Sequence, residues 1–178
     1  MSHMTAPEDD RDLSEAADIG PRPPIVVGLD ETDASHAALR WAFERSMRTG
    51  NPVSAVYVYD TPPGPALRSH AVRSAREGHA RARATGWIES VQSSAAPRTR
   101  LVVAEGSPVK VLLAASRSAD LMVLGAPRRG DLRRVLTNRV ARRCSGRAPC
   151  PVVLVPPTVD TGEPESPERE GQPHEVAG

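Results

Sequence analysis

Aromatic residues, cysteine and long apolar runs are scarce in this 178-residue chain. One Phe, two Tyr and two Trp offer little surface for stacking nucleic-acid bases, which disfavours a nucleic-acid partner. The two cysteines, Cys144 and Cys150, are too few for the disulfide framework of a small secreted domain. No apolar run approaches the ~20 residues of a membrane span, and the acidic start lacks the apolar segment of a signal peptide. We therefore expect a cytoplasmic protein with no membrane partner.

The ends of the chain are acidic and its middle is basic. The whole chain carries +1 and residues 1–20 and 156–178 carry −5 each, so the middle carries +11. Both ends are poor in large apolar residues and cannot bury enough surface to offset chain entropy. We predict one domain over residues 22–157, between disordered acidic tails at 1–21 and 158–178. The tails either aid solubility or cover a basic face and compete with an anionic ligand.

Short apolar runs alternate with helical patterns through this middle part. The runs are residues 25–29, 53–59, 101–103, 121–124 and 152–155. The first, fourth and fifth are almost continuously apolar, which is typical of strands buried on both faces. Helices are predicted after a cap at Asp33, over residues 66–93, after Ser107-Pro108, and from a cap at Asn138 to about Cys144. This alternation predicts an α/β fold with an open parallel sheet and helices on both faces.

The predicted sheet directs attention to two loops. Open parallel sheets bind ligands outside the carboxyl ends of their strands, where the strand order reverses. The candidates are therefore residues 30–35, after the first strand, and residues 125–139, after the fourth.

Three stretches of the sequence match one known family. They read VVGLD at residues 26–30, followed by an alanine-rich helix, ADLMVLG at 119–125 and APCPVVLV at 148–155. In this order and spacing the chain resembles the universal stress protein domain over roughly residues 24–156. The resemblance implies a flavodoxin-like sheet of strand order 3-2-1-4-5. It also implies a homodimer, often paired through the last strand, Val152–Val155.

The same resemblance divides the family into members that bind ATP and members that do not. The binders carry Gly-x2-Gly-x9-Gly-(Ser/Thr) after the fourth strand, and the acid that matches Asp30 lies beside their nucleotide. Here Gly125 matches the first position, whereas Arg128, Asn138 and Arg139 replace the other three. Gly130 lies in the same loop at a different spacing. The alternative role of Asp30 is to bind loop N–H groups and shape the turn.

These replacements change what the loop can do. In the binders, glycines let backbone N–H groups approach phosphates at a helix N-terminus. The side chain of Arg128 would block that approach. Arg139 removes the hydroxyl donor and, in the first turn of the predicted helix, opposes the helix dipole. However, residues 128–147 carry +7, and arginine can bind a phosphate bidentately.

Three hypotheses about function remain. The leading one is a non-enzymatic stress-response regulator with a degenerate phosphate loop and weak or absent ATP binding. The second is a true ATP or adenine-nucleotide binder with an arginine-modified loop, for which slow ATPase activity stays open. The third is anion or nucleic-acid binding through the basic face at 128–147. The candidate binding residues are Asp30, Gly125, Arg128, Gly130, Asn138 and Arg139.

No catalytic or metal-binding residue is predicted. The pair Gly125 and Gly130 has Walker spacing, but Asp131-Leu132 follows where Lys-Ser/Thr is needed. The histidines show no ligand spacing with the cysteines. Cys150, between two prolines, is interpreted as a small buried hydrophobic residue.

Overall fold

Five parallel strands form the centre of the molecule. The computed structural model describes residues 22–61, 64, 69–91, 97–126 and 135–157, with the backbone alone for 135–138. The strands are β1 (Ile25–Leu29), β2 (Val53–Tyr59), β3 (Thr99–Glu105), β4 (Leu121–Gly125) and β5 (Val152–Val155). Their order is β3-β2-β1-β4-β5, and each pairing is parallel. This confirms the predicted α/β class and the strand order that the resemblance implied.

Four α-helices of the described ranges cover the two faces of the sheet. They are α1 (Asp33–Thr49), α2 (His70–Val91), α3 (Pro108–Ala115) and α4 (Val135–Ser145), and a 3-10 turn at Ser116–Ser118 follows α3. Strand side chains alternate between faces. Thus Ile25 and Val27 pack with α1 and α2, whereas Val26 packs with α3 and α4. No helix in the described ranges is long and apolar enough to cross a membrane.

Burial separates the central strands from the edges. Ile25, Val26 and Val27 of β1 are at most 1% exposed, as expected for a strand covered on both faces. The same prediction for the fifth run is wrong, because β5 lies at the sheet edge and pairs only with β4. Its Leu154 is 45% exposed, and its other residues are half-buried.

The starts of two helices differ from the predictions. Thr32, not Asp33, caps α1, and its Oγ1 accepts the N–H of Ser35 at 3.1 Å. The second helix is described over His70–Val91, and residues 66–68 and 92–93 of its predicted range lie outside the described residues. The last helix begins at Val135, so Asn138 lies inside it and the predicted cap there is wrong. An N-cap residue must leave the helical backbone, and three helical residues precede Asn138.

The first helix, α1, ends at a glycine. Gly50 takes the left-handed conformation (φ 73°), and its N–H donates to the Ser46 carbonyl at 2.7 Å. Glycine adopts this conformation without the steric cost that a Cβ would impose. The predicted tails, at 1–21 and 158–178, lie outside the described residues.

Candidate functional site

A cleft of about 390 Å³ opens at the carboxyl ends of β1, β2 and β4. Its volume falls within the range of small-molecule sites, roughly 300–1,000 Å³. The residues that line it are Gly28, Leu29, Asp30, Thr32, Val56, Val58, Asp60, Pro108, Leu112, Leu124, Gly125, Val140 and Ala141. The cleft thus lies at the point where the connections after the neighbouring strands β1 and β4 lead to helices on opposite faces of the sheet, as the fold rule predicts.

The lining divides into apolar walls and an acidic rim. Valine, leucine and proline side chains from β2, β4, α3 and α4 form the walls. The charged lining residues in the described part of the chain are Asp30 and Asp60, which are both exposed carboxylates. The described lining accepts a flat apolar group and hydrogen-bond donors, and its two carboxylates repel an anion.

Asp30 shapes the loop between β1 and α1. Its Oδ1 accepts the Thr32 hydroxyl at 2.6 Å and the Thr32 N–H at 3.3 Å. Its own N–H donates to Ser35 Oγ at 3.2 Å. These bonds form a local Asx-type turn that needs no ligand. The same residue lines the cleft, so the turn orients a carboxylate at its rim.

Glu31 anchors this loop from the other side. It is the only non-glycine residue of the described chain with a positive φ, at 60°. The Tyr57 hydroxyl donates to Glu31 Oε1, and the Arg83 guanidinium pairs with Oε2. Burial, followed by the hydrogen bond to Glu31, raises the pKa of Tyr57 to about 12. The two anchors hold the strained residue between Asp30 and Thr32, both of which face the cleft.

Sequence reasoning missed this anchor. Tyr57 and Arg83 are 26 and 52 residues from Glu31 along the chain, so no local motif joins them. The one available signal is that three polar residues in a row, Glu31-Thr32-Asp33, follow Asp30 directly after a buried strand.

Gly125 has a packing role that explains its presence. A Cβ at this position would come within 2.6 Å of the Ala34 carbonyl carbon and of the Ser35 nitrogen. Both atoms belong to the backbone of the first turn of α1, which cannot move aside cheaply. The one matched position of the phosphate motif is therefore required by helix–sheet contact, whether or not a phosphate binds.

Of the other motif positions, Arg139 alone has a described side chain. Arg128 and Gly130 lie outside the described residues, and the Asn138 side chain also does. Arg139 is exposed and is the fifth residue of α4, so its predicted place in the first turn is wrong. The next two residues, Val140 and Ala141, line the cleft instead. The structure therefore brings together Asp30 and Gly125 from the predicted set.

The remaining reactive side chains have structural surroundings. Cys144 is fully buried, and burial raises the pKa of its thiol. Cys150 is half-buried rather than buried as predicted, and burial again raises its pKa.

His36 lies 2.9 Å from Ser90 Oγ and edge-on to Trp87, where it joins α1 to α2. Within the described ranges, no three acidic, histidine or cysteine side chains group as metal ligands.

Comparisons with known proteins agree with this fold. A family model described as the universal stress protein family matches residues 22–156. The universal stress protein Rv2005c of Mycobacterium tuberculosis is 31% identical over 134 residues, which is 74% of this chain and 44% of the relative. Rv3134c of the same species is 30% identical over 141 residues, 78% of this chain and 51% of the relative. The chain belongs to the universal stress protein family, and it spans about half the length of these curated relatives.

Two solved structures share the fold at low sequence identity. The universal stress protein UspA from Lactobacillus plantarum has a TM-score of 0.59 and 23% identity, over 76% of this chain and 99% of that one. A universal stress protein family protein from Arabidopsis thaliana, solved with AMP bound, has a TM-score of 0.51 and 16% identity. That match covers 82% of this chain and 98% of the Arabidopsis chain.

The packing role of Gly125 can be tested against a glycine in open space. We expect Gly125→Ala to lower the free energy of unfolding by about 3 kcal/mol, because the new methyl overlaps the backbone of α1. In Gly78→Ala, on the exposed face of α2, the new Cβ meets nothing within 4 Å. That variant should gain about 0.5–1 kcal/mol from helix propensity. Urea unfolding measures both, and a neutral Gly125→Ala would contradict the packing role.

The anchor on Glu31 makes a prediction about strain. Glu31→Ala removes the bonds to Tyr57 and Arg83 but keeps a Cβ at positive φ, so it should destabilise the protein. Glu31→Gly loses the same bonds but relieves the left-handed strain, which costs about 1–2 kcal/mol for a residue with a Cβ. The glycine variant should therefore unfold at higher urea concentration than the alanine variant. The reverse order would show that the loop does not hold Glu31 in this conformation.

Proposed function

We propose that this chain is a non-enzymatic regulatory domain that binds the nucleoside part of an adenine nucleotide in the cleft at the carboxyl ends of β1, β2 and β4. The observation that carries the proposal is the composition of this cleft. Apolar walls lie beneath a rim on which the described charges, Asp30 and Asp60, are both negative. ATP binding is expected to be weak, because the two described carboxylates at the rim repel the triphosphate.

The chemistry of a nucleoside suits the cleft. An adenine ring is flat and apolar on its faces, and its amino group and the ribose hydroxyls are hydrogen-bond donors. Carboxylates at the rim accept such donors, whereas aliphatic walls exclude water from the ring. The related Arabidopsis thaliana protein was solved with AMP bound, which supports the choice of an adenine nucleotide.

The phosphate end is the weak part of the site. Gly125 is explained by its contact with α1, so it gives no support for a phosphate cradle. Arg139 is exposed on α4 and does not line the cleft. These two observations favour the hypothesis of a vacated phosphate loop over that of an arginine-modified loop. The third hypothesis, anion binding through the basic face, concerns a separate surface on which Arg139, Arg142 and Arg143 are exposed.

Affinity across a ligand series tests the proposal. Isothermal titration should give dissociation constants for adenosine, AMP and ATP within about threefold of one another, or ~0.7 kcal/mol, because phosphates add little. Val58→Phe, which fills the cleft from β2, should abolish binding of all three. Val103→Phe, on β3 and outside the cleft, is the matched control and should leave binding intact.

Two results would overturn this reading. ATP binding at least tenfold tighter than adenosine binding would favour an arginine-modified phosphate loop. The absence of binding for all three ligands would remove the nucleoside proposal altogether. Release of phosphate from ATP by the wild-type protein, abolished in Val58→Phe, would contradict a non-enzymatic role.

We also propose that the chain forms a homodimer through the free edge of β5. This edge strand carries Leu154, which is 45% exposed, beside half-buried valines. An apolar, uncharged edge strand is suited to pairing with a second copy of itself, because the pairing satisfies its backbone groups and buries its side chains.

Charge insertion on β5 tests the dimer. Leu154→Glu should weaken dimerisation at least tenfold, because pairing would bury a carboxylate without a partner. Met47→Glu is the matched control, since Met47 is 54% exposed and belongs to helix α1, not to the edge strand. Sedimentation equilibrium measures both variants. A wild-type monomer at high concentration, or equal weakening in both variants, would contradict pairing through β5.

A further inference from the structure

A second and larger cleft lies along the free edge of β3. Its volume is about 590 Å³, and it runs between one wall from α2 and another from α3 and the following 3-10 turn. It shares no lining residue with the nucleoside cleft. The family role proposed above makes no use of it.

The backbone of β3 leaves hydrogen-bonding groups on this edge. The Arg98 carbonyl accepts the Val53 N–H, and the Gly106 N–H donates to the Tyr59 carbonyl, both at 2.9 Å. The backbone N–H and C=O groups of the even-numbered residues along β3 therefore point towards β2. Successive residues alternate in a strand. The N–H and C=O groups of Leu101 and Val103 therefore face the groove, where an extended segment can reach them.

The walls of the groove carry an excess of positive charge. Its basic side chains are Arg73, Arg81, Arg100, Lys110 and Arg117. The two acids, Glu77 and Glu105, pair with Arg81 at 3.3 Å and with Arg73 at 3.7 Å.

The other three cations of the groove have no acidic partner. Among the described residues, no ion pair reaches Arg100, Lys110 or Arg117. Like charges along a concave surface reinforce one another and attract an anionic ligand. The groove therefore fits an extended chain segment that carries several carboxylates.

The chain supplies such a segment close by. Residues 8–18 carry six acids and one arginine, a net −5. They precede Pro24, whose carbonyl accepts the Asp120 N–H at 2.9 Å, and Asp120 is three residues from Arg117. Three residues span at most about 11 Å, and the stretch from Glu8 to Pro24 extends up to ~50 Å. The segment is therefore long enough to lie along the whole groove.

The C-terminal acidic segment is less well placed. It follows β5, which is four strands away from β3 in the sheet, or about 19 Å. It also leaves the fold at the carboxyl ends of the strands, whereas Arg100 and Arg117 lie at their amino ends.

We propose that the acidic N-terminal segment of this chain, residues 8–18, docks in the cationic groove along the free edge of β3. The docked segment neutralises Arg100, Lys110 and Arg117 and covers an edge strand that would otherwise pair with other chains. Because the segment is tethered, it competes with any other acidic peptide at an effective concentration in the millimolar range. The groove is then available to an acidic partner only when the segment is displaced.

A labelled peptide tests this competition with full-length protein. The probe is a synthetic peptide of residues 5–21 with a neutral dye, and its binding is followed by fluorescence anisotropy. In one variant, the six acids of the N-terminal segment become Asn or Gln. This variant should bind the peptide at least tenfold more tightly than the wild type, because its groove is empty. The matched control neutralises the six acids of residues 160–175 and should bind like the wild type.

Charge reversal locates the binding site. In the background with the neutralised N-terminal segment, Lys110→Glu with Arg117→Glu should abolish peptide binding. Both side chains are exposed, so the fold should tolerate the change. Arg142→Glu with Arg143→Glu, two exposed positions on α4, makes the same change of charge and should leave binding intact. Binding should also weaken as salt shortens the Debye length from about 10 Å at 0.1 M to about 3 Å at 1 M.

Three outcomes would overturn the proposal. The first is equal peptide affinity in the wild type and the variant with the neutralised N-terminal segment. The second is a gain in affinity only when the C-terminal acids are neutralised. The third is loss of binding through the α4 arginines instead of Lys110 and Arg117, which would place the peptide on the basic face at 128–147.

Discussion

The close approach of α1 to the end of β4 is the contact on which the site depends. Only a residue without a Cβ fits at Gly125, because the backbone of Ala34 and Ser35 lies 2.6 Å from where that atom would be. This contact fixes where α1 begins, and Thr32, its cap, ties the helix start to Asp30. The loop between β1 and α1 is thus held on three sides: by β4, by its own turn, and by Tyr57 and Arg83 through Glu31. The position of the Asp30 carboxylate at the rim follows from that packing.

The same contact changes how a glycine motif is interpreted. A glycine can be required because a ligand approaches the backbone or because another part of the protein does, and the sequence pattern is the same for both. At Gly125 the second cause is sufficient. The one motif position that is present, Gly125, is therefore the one that helix packing requires. This is consistent with a loop that has lost phosphate binding in a fold that has kept its helix packing.

Much of the fold followed from the sequence because its signals are local. The apolar runs at 25–29 and 53–59 match β1 and β2, and Gly50 ends α1 as its conformation requires. Predictions failed where a neighbour in space decides the outcome. The apolar run of β5 could not reveal that the strand lies at an edge. A polar residue such as Asn138 can cap a helix, but whether it does depends on the residues before it. The Glu31 anchor joins residues far apart in the chain, so no periodicity marks it.

The two free edges of the sheet have opposite chemical character. The β5 edge is uncharged and carries an exposed leucine, whereas the β3 edge is bordered by three cations that form no ion pair with another described residue. Two copies that met at their β3 edges would bring like charges together, and a β5 edge has no carboxylates to offer a β3 edge. Of the three combinations, only the pairing of two β5 edges is favourable. In a two-fold dimer this pairing uses the β5 edge of both chains, so no β5 edge is left for a third chain. The charge distribution thus favours an assembly that stops at two chains over a sheet that grows without limit.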